Sequence, residues 1–208
     1  MERLHNLLIA YNQTIPVSSR YSWTQKYLEQ KFPSYWYIVY DELSHLNRSL
    51  HILEIGAGQG DVTSIACYLG FKNITSYERI DRDAFIANKK LETLFGMKDI
   101  VKATEFPNGT EKADVLIIVN CVYADGVKTK KEYINKLKNL YDKAGCPKYI
   151  LLEVIDVSYD VVDEVFPHYV RLSENDILLL FPQAKINSVE TYRYPINKRT
   201  KRLYIIQN

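Results

Sequence analysis

From Leu50 onward the apolar residues fall into short continuous runs, separated by stretches in which they recur at helical spacing. Leu50-His51-Ile52-Leu53-Glu54-Ile55 reads as a strand that ends in a glycine-rich turn. Asp61 to Leu69 reads as a helix with Gly70 as its C-terminal cap, because glycine takes the left-handed conformation found there at little cost. Ile74 to Glu78 is a second strand. Asp83 to Phe95 is a helix, with Phe85, Ile86, Leu91, Leu94 and Phe95 expected to face inward and Gly96 ending it. A short third strand is expected around Ile100 to Thr104. Asp114 to Asn120 is apolar throughout its middle, as a strand covered on both faces requires. Lys131 to Lys143 carries Tyr133, Ile134, Leu137, Leu140 and Tyr141 on one face and lysines on the other, the pattern of an amphipathic helix. Tyr149 to Val154 is a further buried strand, and Ser173 is the expected N-cap of a helix that stops before Pro182. Ser188 to Tyr194 and Arg202 to Ile206, joined through Pro195-Ile196-Asn197, read as an antiparallel hairpin.

Strand and helix alternate, and a hairpin closes the chain. The pattern predicts an α/β fold: an open, mostly parallel seven-stranded sheet with helices on both faces and a C-terminal antiparallel hairpin. Residues 1–48 read differently, as a helical and aromatic cap. Its second helix starts near Phe32-Pro33-Ser34 and turns Trp36, Val39, Tyr40 and Leu43 to one side. The expected division is a cap over 1–48 and a ligand-binding domain over 49–208. Ligands of such sheets bind beyond the carboxyl ends of the strands, where strand order reverses. That directs attention to the turn after the first strand.

Composition narrows the partners. The 208 residues carry a net charge of +2, too little for a whole-protein field that would draw nucleic acid or an anionic membrane. No apolar stretch approaches the roughly 20 residues of a membrane span, and no targeting segment is expected. Cys67, Cys121 and Cys146 have no paired spacing, so neither a metal site nor a disulfide framework is expected. A reducing, cytoplasmic setting fits this usage. The 17 tyrosines suit half-buried filler or an aromatic-lined pocket.

The turn reads Glu54-Ile55-Gly56-Ala57-Gly58-Gln59-Gly60-Asp61. Its glycines allow positive φ and close approach of a ligand to the backbone. The spacing is G-x-G-x-G. The dinucleotide fingerprint requires a small residue where Asp61 stands, and an acid at the helix start opposes a pyrophosphate. A ligand bearing a cation is tolerated there.

Leu53 to Asp61 resembles the first motif of the class I S-adenosylmethionine-dependent methyltransferases. The resemblance implies that Glu54, Gly56, Ala57, Gly58, Gly60 and Asp61 surround the methionine part of S-adenosylmethionine. It also implies that Glu78, followed by Arg79 at the end of the second strand, binds the ribose hydroxyls, since a carboxylate accepts two hydrogen bonds from a vicinal diol. Glu105 and Phe106, after the third strand, are the expected adenine neighbours, and Asn120 is expected to line the cofactor site.

The acceptor side is less marked. Asn120-Cys121-Val122-Tyr123 follows the fourth strand. Amino-directed family members often carry Asn/Asp-Pro-Pro-Tyr/Phe there, and this chain lacks both prolines. Glu153, Asp156 and His168 are candidate catalytic residues, as bases or as groups that orient a hydroxyl; each also suits a structural role. Tyr21, Trp23 and Tyr123 are candidate substrate contacts, and Arg20 is a candidate partner of the cofactor carboxylate. Arg193, Lys198, Arg199, Lys201 and Arg202 form a basic stretch on the hairpin, read as a solvated edge that discourages strand pairing. The expected function is methyl transfer to a small molecule, at oxygen rather than nitrogen, with a homodimer compatible. Two alternatives stand beside it: an RNA methyltransferase using the basic hairpin, and a non-catalytic cofactor-binding scaffold.

Overall fold

The structure, a computed structural model, describes the chain apart from residues 21–33, 108–109, 124–125 and 194–198, and apart from the side chains at 34, 192–193 and 199. Tyr21, Trp23, Lys198 and the turn at 195–197 therefore lie outside the described residues, as do the side chains of Arg193 and Arg199.

In chain order the elements are α1 (Glu2–Thr14), a 3-10 turn (Val17–Ser19), α2 (Ser34–Ser44), β1 (Ile52–Ile55), α3 (Asp61–Tyr68), β2 (Ile74–Glu78) and α4 (Asp81–Phe95). There follow β3 (Val101–Ala103), β4 (Val115–Ile118), α5 (Lys130–Lys143), β5 (Tyr149–Asp156), a second 3-10 turn (His168–Val170), β6 (Arg171–Leu172), α6 (Glu174–Leu180), β7 (Lys185–Arg193) and β8 (Arg199–Gln207). The expected mostly parallel α/β sheet with an antiparallel C-terminal hairpin is present. Among the described residues it has eight strands rather than seven, because the two-residue β6 pairs with the end of β5. The chain divides into two compact units, Met1–Leu50 with Ala57–Glu105, and His51–Gly56 with Phe106–Asn208.

In the first unit β2 and β3 pair in parallel. Asn88 of α4 fixes the helix to β3 from both sides: its amide donates to the Val101 carbonyl at 2.8 Å and its oxygen accepts the Val101 N–H at 2.9 Å. In α2, Trp36, Val39 and Leu43 are buried on the expected face. Helix α4 departs from expectation. It begins at Asp81, two residues early, and buries Asp83, Ala84, Ala87, Lys90 and Leu91, while Phe85 is exposed. Small side chains permit close packing, and two charged residues lie on the inner face because partners await them there, as described below.

In the second unit the strand order is β1-β4-β5-β8-β7. β1, β4 and β5 are parallel; β8 runs antiparallel to both β5 and β7. Val115 to Ile118 of β4 are all at most 3% exposed. At about 1.5–3 kcal/mol per fully buried aliphatic side chain, this strand anchors the unit. Helix α5 buries Tyr133, Leu137 and Leu140 and starts on a capping box between Thr129 and Glu132. Ser173 caps α6 as expected, in a second capping box with Asp176. The charged end of the hairpin differs from expectation. β7 is the outer strand and β8 is enclosed by β5 and β7, so Lys201 is only 8% exposed rather than solvated.

Candidate functional site

In the first unit the turn is built by backbone bonds. Ala57 N–H donates to the Tyr77 carbonyl at 2.9 Å, and Gly60 N–H donates to the Ala57 carbonyl at 2.9 Å. Glu78, only 7% exposed, holds both sides of the opening. One carboxylate oxygen accepts the Gly58 N–H at 2.8 Å and the other accepts the Ile80 N–H at 3.0 Å. A carboxylate has about four lone-pair sites, so each oxygen retains capacity for a ligand hydroxyl. Gly60 takes φ 78°, and a Cβ there would stand 2.9 Å from Cβ of Ala87. Close approach of α3 to α4 thus requires glycine at this position.

Asp61 opens α3, where an acid suits the helix dipole. Its Oδ1 accepts from Lys90 Nζ at 2.5 Å and from Asn12 of α1 at 3.5 Å. The Lys90 side chain is fully buried and lies over the Tyr11 ring at 5.9 Å. Asp61 therefore faces the turn as half of an ion pair, which weakens the charge argument made from sequence. Gln59 donates to both the Ser19 carbonyl (2.7 Å) and buried Asp83 (3.0 Å), tying the 3-10 turn after α1 to the glycine turn. Arg20, a candidate partner of the cofactor carboxylate, is engaged elsewhere. It donates to the Gln13 and Ile15 carbonyls at 2.5 and 2.7 Å, closing the C-terminal end of α1. Arg79 and Glu105 are exposed.

In the second unit Glu54 is buried in β1 and Gly56 follows at φ 73°. A Cβ on Gly56 would lie 2.5 Å from Cβ and 2.6 Å from Sγ of Cys121. Cys121 also donates to the Ile55 carbonyl at 2.9 Å, so the segment after β4 lies directly over the end of β1. That segment is strained: Asn120 and Val122 take φ of 57° and 56°, a region that a β-branched residue enters only when its surroundings compel it.

Glu153 supplies the compulsion. It is 1% exposed. Its Oε2 accepts from Asn120 N–H at 3.0 Å and from the Tyr123 hydroxyl at 3.3 Å; its Oε1 accepts from Thr191 at 2.6 Å. Lys201 Nζ lies 3.8 Å from Oε2 and donates to Asn120 Oδ1. The pairing registers explain this convergence. Glu153 opposes Leu203, so Lys201, two residues before Leu203, projects from the same face as Glu153. Thr191 occurs where the β7–β8 register shifts between Glu190 and Tyr192, and such a bulge re-aims a side chain.

Aromatic rings cover the ammonium. Lys201 Nζ lies 4.9 Å from the centre of the Tyr123 ring and 5.8 Å from that of Phe166, and the two rings meet edge to face at 5.4 Å. Phe166 is held by buried Arg171, which donates to the carbonyls of Phe166 (2.9 Å), Val161 (2.6 Å) and Tyr159. Burial lowers the Lys201 pKa, against the opposing pull of Glu153 and Cys121. Burial, with Glu153 beside it, pushes the Tyr123 phenol well up.

Glu153 and Asp156, each a candidate from sequence, lie on opposite faces of their strand. β5 runs through both, and residues three apart on a strand face opposite sides. Asp156 instead pairs with Arg202 Nε at 3.0 Å and accepts the Ser158 N–H at 2.8 Å. His168 stands exposed on its 3-10 turn. Among the described residues no His, Cys, Asp and Glu group could hold a metal ion, and no helix is long and apolar enough to cross a membrane.

No protein-family model matches the sequence, and no curated protein matches it. Solved structures do match in fold. The magnesium protoporphyrin IX methyltransferase from Synechocystis PCC 6803 with bound S-adenosylmethionine superposes with TM-score 0.61 at 12% identity, covering 99% of this chain and 97% of that one. The methyltransferase domain of bacterial CtHen1 gives TM-score 0.60 at 10% identity, over 84% of this chain and 97% of that domain. An S-adenosylmethionine-dependent methyltransferase from Leishmania major gives 0.60 at 16%, over 98% and 83%. The fold is that of the class I S-adenosylmethionine-dependent methyltransferases.

Within this methyltransferase fold, Lys201 is the residue that sequence reasoning missed. Read as one of a run of surface cations, it is the buried counter-ion of Glu153. A signal was available: Lys201, Leu203 and Ile205 share one face of β8 at period two, so an inward Leu203 implied an inward Lys201.

Proposed function

We propose that the chain is an enzyme that transfers a methyl group from S-adenosylmethionine to a hydroxyl of a small-molecule acceptor in the cytoplasm. The observation that carries the reading is the grip of Glu78 on the Gly58 N–H. It presents an acid with remaining acceptor capacity beside a glycine turn, the chemistry that a ribose diol next to a close-lying methionine chain requires. Glu54, Gly56, Ala57, Gly58, Gly60, Asp61, Glu78 and Asn120 would hold the cofactor, with Arg79, Glu105 and Phe106 toward the nucleoside. When bound, S-adenosylmethionine supplies an electrophilic methyl group on a sulfonium.

Oxygen is favoured over nitrogen because the Asn120 carboxamide oxygen already accepts from Lys201, so it is engaged where an acceptor amine would need it. The RNA alternative is weakened by the same hairpin that suggested it, since Lys201 and Arg202 are paired with Glu153 and Asp156.

The test is to incubate the protein with methyl-labelled S-adenosylmethionine and host extract, then fractionate. Label is expected on a small metabolite, in an ether or ester. Label in RNA or protein, or none in any fraction, would overturn the reading.

A further inference from the structure

We infer that Asn12, on α1, and Gln59, in the glycine turn, accept hydrogen bonds from the α-ammonium of the cofactor's amino-acid chain, which makes the N-terminal helix part of the cofactor site. This rests on the methyl-transfer reading above. It adds two ligand contacts that lie, with the groups that orient them, inside the first compact unit.

The buried positions of α1 are Leu4, Leu8 and Asn12, each four residues after the last. The helix pattern calls for a third apolar residue at that place and has a carboxamide instead. Asparagine is also a poor helix former, so neither burial nor propensity accounts for it. A residue that breaks its local pattern in this way marks a functional position.

Asn12 and Gln59 are only 3% and 4% exposed, and their neighbours set their orientation. A carboxylate or a carbonyl only accepts, so the atom that faces it must be the amide nitrogen. The Asn12 nitrogen therefore donates to Asp61 Oδ1 at 3.5 Å. The Gln59 nitrogen donates to the Ser19 carbonyl at 2.7 Å and to Asp83 at 3.0 Å. Both carboxamide oxygens are left over, buried and without a hydrogen-bond partner among the described residues. A buried acceptor with no donor is costly, and Gln59 and Asp61, the residues that carry or face these atoms, flank Gly60 of the turn.

The charges decide which donor fits. Asp61, Glu78 and Asp83 all touch the turn. Lys90 is the buried cation beside them, and Arg82, which pairs with Asp83, is half exposed and screened by water. The excess of carboxylates favours a cation, and a primary ammonium brings three N–H donors with its charge. The carboxylate of the same amino-acid chain would be repelled there.

Calorimetric titration with S-adenosylmethionine, and with its analogue lacking the α-amino group, tests the assignment. Wild-type protein is expected to prefer the amino ligand by about 100-fold, because hydrogen bonds to a charged group are the strong ones. In Asn12→Leu the preference is expected to shrink to about tenfold, with affinity for the deaminated analogue within about threefold of wild type. An unchanged preference, or an equal loss for both ligands, would make Asn12 a structural residue and overturn the inference. Denaturant unfolding without ligand reads the same residue independently. Asn12→Leu puts an apolar group of similar size where the acceptor has no partner, so it is expected to be at least as stable as wild type. A clear loss of stability, or failure to fold, would show that the oxygen has a structural partner and would also overturn the inference. If wild type binds neither ligand, the cofactor reading fails instead, and the unfolding comparison still decides whether Asn12 is structural.

Discussion

Glu78 and Glu153 are buried to a similar degree, 7% and 1% exposed, yet they hold different things. Glu78 accepts backbone N–H groups at Gly58 and Ile80. It shapes a loop whose side chains are mostly absent. Glu153 accepts from Tyr123 and Thr191 side chains as well as one backbone N–H, and it has a lysine partner. The first arrangement is insensitive to which side chains surround it, because backbone is common to all sequences. The second depends on four separate segments bringing particular residues together.

Removing the counter-ions should break the comparison most sharply. Lys201→Met leaves Glu153 charged and unpaired in the interior, with an expected cost of about 3–5 kcal/mol in chemical denaturation. Adding Glu153→Gln, whose carbonyl oxygen can still accept the Asn120 N–H while its amide donates to the Thr191 hydroxyl, should recover most of it. Lys90→Met should cost less, about 2 kcal/mol, because the Asp61 side chain is 19% exposed and water can reach it. Equal losses would mean that the two pairs are energetically alike and the contrast is only geometric.

The glycines come next. Gly56→Ala combines left-handed backbone, about 1–2 kcal/mol, with an overlap on Cys121, about 1–3 kcal/mol. Cys121→Gly in the same chain should relieve the overlap and leave the backbone cost. Gly60→Ala meets Ala87 in the same way, and Ala87→Gly should relieve it. Thermal or denaturant unfolding of the single and double variants reads both. No recovery in the doubles would show that positive φ alone requires glycine there.

The smallest effects lie at the caps of the second unit. Ser173→Ala should lose about 1 kcal/mol. Burial works upward on the Asp176 carboxyl, but the Ser173 N–H and Lys130 outweigh it and hold the carboxyl below its usual range. A depressed folded-state pKa contributes stability that is present above the unfolded value and is lost as pH falls through the folded one. Stability should therefore decline below about pH 4, and Asp176→Asn should flatten that acid limb.

The legible parts of the fold were those written in local pattern. The apolar run of β4, the strand into the glycine turn, the caps at Gly70, Gly96 and Ser173, and the closing hairpin each depend on residues close together in the chain. The misread parts depend on partners far away. Lys90 and Asp83 spoiled the apolar face expected of α4 because Asp61 and Gln59 receive them. Lys201 looked like surface charge because its partner Glu153 lies three strands back in sequence. β5 runs on to Asp156, past the Val154 expected, and so puts Glu153 and Asp156 on opposite faces of one strand. In the candidate site, the turn and Glu78 were visible as a motif, but the assembly of Asn120, Tyr123, Glu153, Thr191 and Lys201 needed the strand register.

The central claim is that the turn held by Glu78 binds S-adenosylmethionine, and calorimetric titration of the intact chain tests it most directly. The account predicts saturable binding at one site, weakened about tenfold, or roughly 1.4 kcal/mol, in Glu78→Gln, which keeps one oxygen for the Gly58 N–H and replaces the other with an amide. No binding by the wild-type chain, or equal binding by Glu78→Gln, would contradict it.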